Sequence, residues 1–146
     1  MKVSHITREQ VYSRLRTPYN PPACSAEDEA ACDVFYGEWH DIRDGLLTVL
    51  ERFGEQDHYG QKDFCLGDSA MLSRGIGVTF TNQRMLKPQV LEAVAAFLAA
   101  LPEDYEVGIT LQRDGEDDHD LFISSDTVLA ELPDELFCKI IPAAWV

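Results

Sequence analysis

Lysine and arginine are scarce in this chain. They number 12 of 146 residues against 26 aspartates and glutamates, for a formal charge of −14 and a pI near 4.4. Nucleic acid repels such a surface, because its phosphates call for clustered basic side chains. Anionic membrane is disfavoured on the same ground. Long apolar runs are also missing. The longest, "VLEAVAAFLAAL", is interrupted by Glu92 and falls short of the roughly 20 residues a membrane helix needs. The opening "MKVSHITREQVYSRLR" has no apolar segment of the kind found in signal peptides, so the expectation is a cytoplasmic protein. No C-x-x-C pair occurs among the cysteines at 24, 32, 65 and 138, which argues against a structural zinc site. In a cytoplasm all four are expected to be reduced. Cys65 and Cys138 sit among apolar neighbours and read as small core residues.

Catalytic signatures are equally sparse. There is no H-E-x-x-H, no G-x-S-x-G and no Cys/His pattern. Gly75 and Gly77 form a G-x-G, but Phe80 stands where a third glycine would complete a dinucleotide fingerprint. The expectation is a protein without catalysis, metal or cofactor.

What is present is enough apolar residue, 45%, to fold as one domain over 1–146. Thr7 opens a short helix over 7–16, and the prolines of "TPYNPPA" end that first region, 1–24. A long helix is expected over 25–54. It opens at Ser25 with Asp28 three residues later and carries an apolar stripe of Ala31, Phe35, Trp39, Ile42, Leu46, Leu50 and Phe53, with Gly54 ending it. The third region, 63–146, holds the sheet. "FCLG", "RGIGVTFTN", "YEVGITLQR" and "DLFISS" read as strands. Pro88 starts a second helix that Pro102 stops, and Pro133 precedes a last short one. The fold class is therefore α+β, with a small, mainly antiparallel sheet covered on one face by the long helix and the second helix.

The negative charge is concentrated. Residues 24–57 hold ten acidic and two basic side chains, and residues 103–120 hold eight and one, whereas residues 1–23 are net +3. The second cluster centres on "DGEDDHDLF" at 114–122. As a calcium loop it fails twice, with His119 where glycine belongs and Ser125 where a bidentate glutamate belongs. Asp-Gly between two alternating strands marks a hairpin tip. On the long helix, His40 and Asp44 are spaced i, i+4 but lack a third metal ligand, and Asp33 and Asp41 also fall away from the apolar stripe. Such a surface suits a basic protein partner, because opposite fields speed encounter. The candidate partner-binding residues are Asp33, Tyr36, His40, Asp41 and Asp44 on the helix, and Glu116, Asp117, Asp118 and Asp120 at the turn.

The stretch "RGIGVTFTNQRMLKPQVLEAVAAFLAALPEDYEVGITLQRDGEDDHDLFISSD", in a small acidic α+β chain, resembles the immunity proteins of bacterial polymorphic toxin systems, including contact-dependent inhibition and type VI secretion. The resemblance covers about residues 63–132 and rests on element order and charge. It implies one-to-one inhibition of a cognate toxin domain, often a nuclease, without catalysis. It carries over no individual residue, since interfaces in these families vary. The alternative is a small enzyme or ligand-binding module using a pocket between sheet and helices, with His40, Asp44 or His58 as its chemistry. The expected state is a monomer or a weak homo-oligomer meeting through the apolar tail "IIPAAWV".

Overall fold

The computed structural model describes residues 1–16, 29–56, 63–67, 74–112 and 118–146. The elements run β1 (Lys2–His5), α1 (Arg8–Arg16), α2 (Glu29–Leu50), β2 (Phe64–Leu66), β3 (Gly75–Phe80), a 3₁₀ turn (Gln83–Met85), α3 (Pro88–Ala99), β4 (Glu106–Leu111), β5 (His119–Ile123), β6 (Thr127–Ala130), α4 (Asp134–Ile140) and a second 3₁₀ turn (Ala143–Trp145). The strands form one sheet in the order β1-β6-β5-β4-β3-β2. Three of its pairings are antiparallel, and β1/β6 and β3/β4 are parallel. The α+β class and the mainly antiparallel sheet are as expected.

Local chemistry explains most boundaries. Thr7 and Gln10 close a reciprocal cap on α1: the Thr7 N–H donates to Gln10 Oε1 at 2.8 Å, and the Gln10 N–H donates to Thr7 Oγ1 at 3.3 Å. Pro88 occupies the first turn of α3, where its missing N–H costs no hydrogen bond. Asp134 and Glu135 stand at the positive end of the α4 dipole and Lys139 at the negative end. The start of α2 at 25–28 lies outside the described residues.

Strand alternation separates two sheet faces. On the packed face lie Phe64 and Leu66 of β2, Ile76, Val78 and Phe80 of β3, Val107, Ile109 and Leu111 of β4, Leu121 and Ile123 of β5, and Val128 and Ala130 of β6, all buried. The helix α2 covers the β2–β3 side of that face. Trp39, fully buried, donates its indole N–H to the Gly75 carbonyl at 2.9 Å. The helix α4 covers the β1 side, where the His5 ring stacks on Phe137 with centroids 4.9 Å apart. Between them α3 touches both.

Four expectations need correction. Helices do not cover one face only. Arg14 of α1 pairs with Glu106 and lies over the Phe122 ring, 5.0 Å from its centroid. Glu106 and Phe122 alternate with the buried residues of β4 and β5, so α1 lies on the outer face. Arg14 and Arg8 of α1 thus meet sheet carboxylates, Arg8 reaching Glu131 at 3.9 Å. Strands β1 and β6 were not anticipated, because each is four residues long and their pairing joins opposite ends of the chain. Ala31 is exposed instead of belonging to the buried stripe of α2; Cys32 and Val49 take places on it.

The cysteines form the fourth correction. Cys32 is disulfide-bonded, while Cys65 and Cys138 are free thiols; the remaining cysteine, Cys24, lies outside the described residues. Neither free thiol is a core residue. Cys138 is exposed on α4, and Cys65 alternates with buried Phe64 and Leu66 onto the outer sheet face.

Candidate functional site

The helix α2 is long enough, at 22 residues, to present two distinct sides. Its buried side carries Cys32, Phe35, Trp39, Ile42, Leu46, Val49 and Leu50. At 3.6 residues per turn, the diametrically opposite line passes through Gly37 and Asp44. Asp33, Val34, His40 and Asp41 flank that line, and all of these residues are exposed. Tyr36 stands at the border, half-buried and edge-on to the Phe35 ring at 5.6 Å. His40 rests edge-on against Trp39, with centroids 5.0 Å apart. The five helix residues expected from the sequence therefore share one side of α2 or its border.

The electrostatics of this side are one-signed. Asp33 and Asp41 have no ion-pair partner among the described residues. Asp44 lies 3.7 Å from its neighbour Arg43, but its side chain is 71% exposed, and pairs that open to water contribute little. Val34 adds an apolar group that is 72% exposed. Gly37 adds bare backbone: a Cβ built there meets none of the described residues within 4 Å, and its φ is not left-handed.

The acidic turn is placed elsewhere. Leu111 and His119 are register partners, so the stretch between them connects an antiparallel hairpin, as expected. Glu116 and Asp117 lie outside the described residues. Asp118 is exposed, whereas Asp120 is half-buried and accepts a hydrogen bond from Thr110 Oγ1 at 2.9 Å. His119 is held by Glu131, Nδ1 to Oε2 at 3.0 Å. Asp120 and His119 are thus tied into the sheet. The hairpin leaves from the end of the sheet marked by Leu111, while Trp39 fastens the acidic part of α2 to Gly75 at the other end. The two acidic segments do not form one continuous patch among the described residues.

A second feature escaped the sequence reading. On the outer sheet face a shallow trough of about 240 Å³ is lined by Cys65, Gly67, Gly77, Thr79, Gly108 and Thr110. Gly77 and Gly108 are register partners on β3 and β4, and the N–H of Gly67, just past the end of β2, donates to the Gly77 carbonyl at 2.8 Å, so three glycines run side by side. The Phe122 ring lies 3.7 Å from where a Cβ on Gly108 would stand, while Gly77 is open among the described residues. Each glycine was visible in the sequence; only the register aligns them. His40 and Asp44, expected beside a pocket between sheet and helices, instead project outward from α2, and His58 lies outside the described residues. Among the described residues no three His, Cys, Asp or Glu side chains gather in a way that holds a metal ion, and no helix is long and apolar enough to cross a membrane. Comparison with known protein families, with characterised proteins and with solved structures finds no match.

Proposed function

We propose that this chain is a non-catalytic binding protein that neutralises a basic protein partner, a cognate toxin domain, through the outward side of α2. The observation that carries the reading is a row of exposed carboxylates, Asp33, Asp41 and Asp44, on a helix whose opposite side is anchored by fully buried Trp39 and Leu46. A rigid element bearing charges without strong internal partners meets a cationic surface with little reorganisation. A net charge of −14 favours the same class of partner at long range. Were the partner a nuclease, these carboxylates would stand where its substrate phosphates bind.

The test is co-expression with the product of the neighbouring gene, followed by capture at about 0.15 M salt, where distant surface charges are screened and only close contacts persist. Replacing Asp33, Asp41 and Asp44 together by Lys is expected to weaken capture at least tenfold, about 1.4 kcal/mol, with the unfolding midpoint unchanged. Capture that survives this triple reversal sinks the proposal. A separate Asp118→Lys variant reads the hairpin's own contribution, expected to be small.

A second reading, a ligand-binding module, draws on the outer-face trough with its Thr79 and Thr110 hydroxyls and Cys65 thiol. Glycine inside a strand often marks close approach by a ligand or another backbone. It predicts that Gly77→Val abolishes a small-molecule activity while leaving the protein partner bound.

A further inference from the structure

We infer that the partner docks on α2 with a helix of its own: a cationic, amphipathic helix that crosses α2 and sets a small residue against Gly37. This rests on the reading of α2 as the partner-binding side, and goes beyond it by naming the element that binds.

Gly37 is the centre of the argument. It lies in the middle of a 22-residue helix, where glycine is less favourable than alanine because it leaves the unfolded chain more freedom. A glycine there is usually explained by a left-handed backbone or by a neighbour too close for a Cβ. Neither applies among the described residues: its φ is ordinary and none of them lies within 4 Å of the missing Cβ. By contrast, Gly45 on the same helix faces the Phe97 ring, 2.9 Å from where its Cβ would stand. The described residues supply a reason for Gly45 and none for Gly37. A reason from outside is the approach of a second backbone.

The surroundings specify what approaches. Backbone groups inside α2 are paired within the helix, so an added strand would find no ladder there. A helix can fit its ridges into those of α2, and small residues at the crossing bring two axes to the near end of the usual 8–10 Å range. Val34, 72% exposed and one turn before Gly37, offers an apolar contact beside the crossing. Asp33, Asp41 and Asp44 lie around the same point. From Asp33 to Asp44 the row extends about 16 Å along the axis, within reach of lysines or arginines spaced over a few turns. Their aliphatic stems would cover Val34 while their charged ends meet the carboxylates. Charge complementarity therefore selects a basic helix over an acidic or neutral one.

The experiment uses the full chain and two synthetic peptides of identical Lys, Leu and Ala composition. One is an amphipathic L-peptide with alanine at the centre of its apolar side. The other alternates D- and L-residues and cannot form a helix. Binding is measured by titration calorimetry at about 0.15 M salt. The wild-type protein is expected to bind the helical peptide at least tenfold more tightly than its D/L counterpart. Gly37→Leu is expected to erase that tenfold margin, with its thermal midpoint no lower than wild type. Gly37→Ala should reduce it a few-fold, and serves as the readout should the leucine variant unfold. Equal binding of the two peptides, binding of neither, or a margin untouched by Gly37→Leu and Gly37→Ala overturns the inference. Partner capture lost on reversal of Asp33, Asp41 and Asp44 but indifferent to Gly37→Leu would overturn the helix while leaving the acidic docking side standing. Capture indifferent to the reversal would remove both.

Discussion

Arg84 holds the completely buried carboxylate of Asp63, its Nη2 lying 2.9 Å from Asp63 Oδ1. The other carboxylate oxygen accepts the Glu55 N–H, and the Asp63 carbonyl accepts the N–H groups of Thr81 and Asn82 at 2.9 and 3.2 Å. One residue thereby joins the chain leaving α2, the start of β2 and the chain leaving β3. Arg84 is itself 48% exposed and can turn to water, so Asp63→Ala removes charge-assisted hydrogen bonds without stranding a buried charge. It is expected to cost about 1.5–3 kcal/mol in a urea titration. A loss below about 1 kcal/mol, the worth of an exposed pair, would show that Asp63 is not that joint.

Glycines on α2 and just beyond it should respond in opposite directions. Gly37→Ala fills open space on an exposed helix and is expected to stabilise the fold by about 0.5–1 kcal/mol. At Gly54 an added Cβ would stand 2.5 Å from the Met85 sulfur and 3.0 Å from Asp63 Cβ. Gly54→Ala is therefore expected to destabilise by about 1–3 kcal/mol, as overpacking does. Denaturation midpoints of the two variants, read side by side, check the contrast; a shift of the same sign in both would refute it.

On the outer sheet face, Gly77 has open space above it, and valine suits a strand better than glycine. Gly77→Val should raise the stability by up to about 1 kcal/mol. Gly108→Val should not match it, because the Phe122 ring already occupies the space over Gly108. Thermal midpoints distinguish the two.

Tyr105 is buried, and its hydroxyl has no hydrogen-bond partner of ordinary geometry among the described residues. Burial, then the nearby Glu38 carboxylate, raises its pKa above 10.0, with Arg74 opposing. The folded protein thus keeps the phenol proton at a pH where the unfolded chain has begun to lose it. This contribution is fully present below pH 10.0 and is lost as pH rises through the higher folded value. Stability should fall on going above pH 10, and Tyr105→Phe should make that fall shallower. An unchanged slope in the variant would assign the alkaline loss to other groups.

Arg14 is the clamp of α1 on the outer face, through Glu106 and the Phe122 ring. Arg14→Ala should free the amides of α1 to exchange faster with solvent, by roughly tenfold for about 1.4 kcal/mol, while those of α3 stay protected.

Much of this molecule was legible in the sequence because the signals were local. The apolar period over Phe35, Trp39, Ile42, Leu46 and Leu50 announced α2 and which of its sides is buried. Thr7 marked the start of α1, and Pro88 that of α3. The alternation of Val107, Ile109 and Leu111 marked β4. The same period places Asp33, Asp41 and Asp44 away from the core.

What the tertiary structure decided was every relationship between residues far apart in the chain. Four residues of β1 carry too little pattern to show that they pair with β6, because the partner lies about 125 positions away and the hydrogen bonds belong to both strands. Alternation tells that Cys65 and Leu66 face opposite ways, but only pairing with β3 decides which way is inward. Gly67, Gly77 and Gly108 become neighbours through register alone. The separation of the two acidic segments has the same cause. Charge is a property of the sequence, whereas a charged surface depends on where the sheet carries each segment, and here it carries the hairpin of Asp118 to one end and the carboxylates of α2 toward the other.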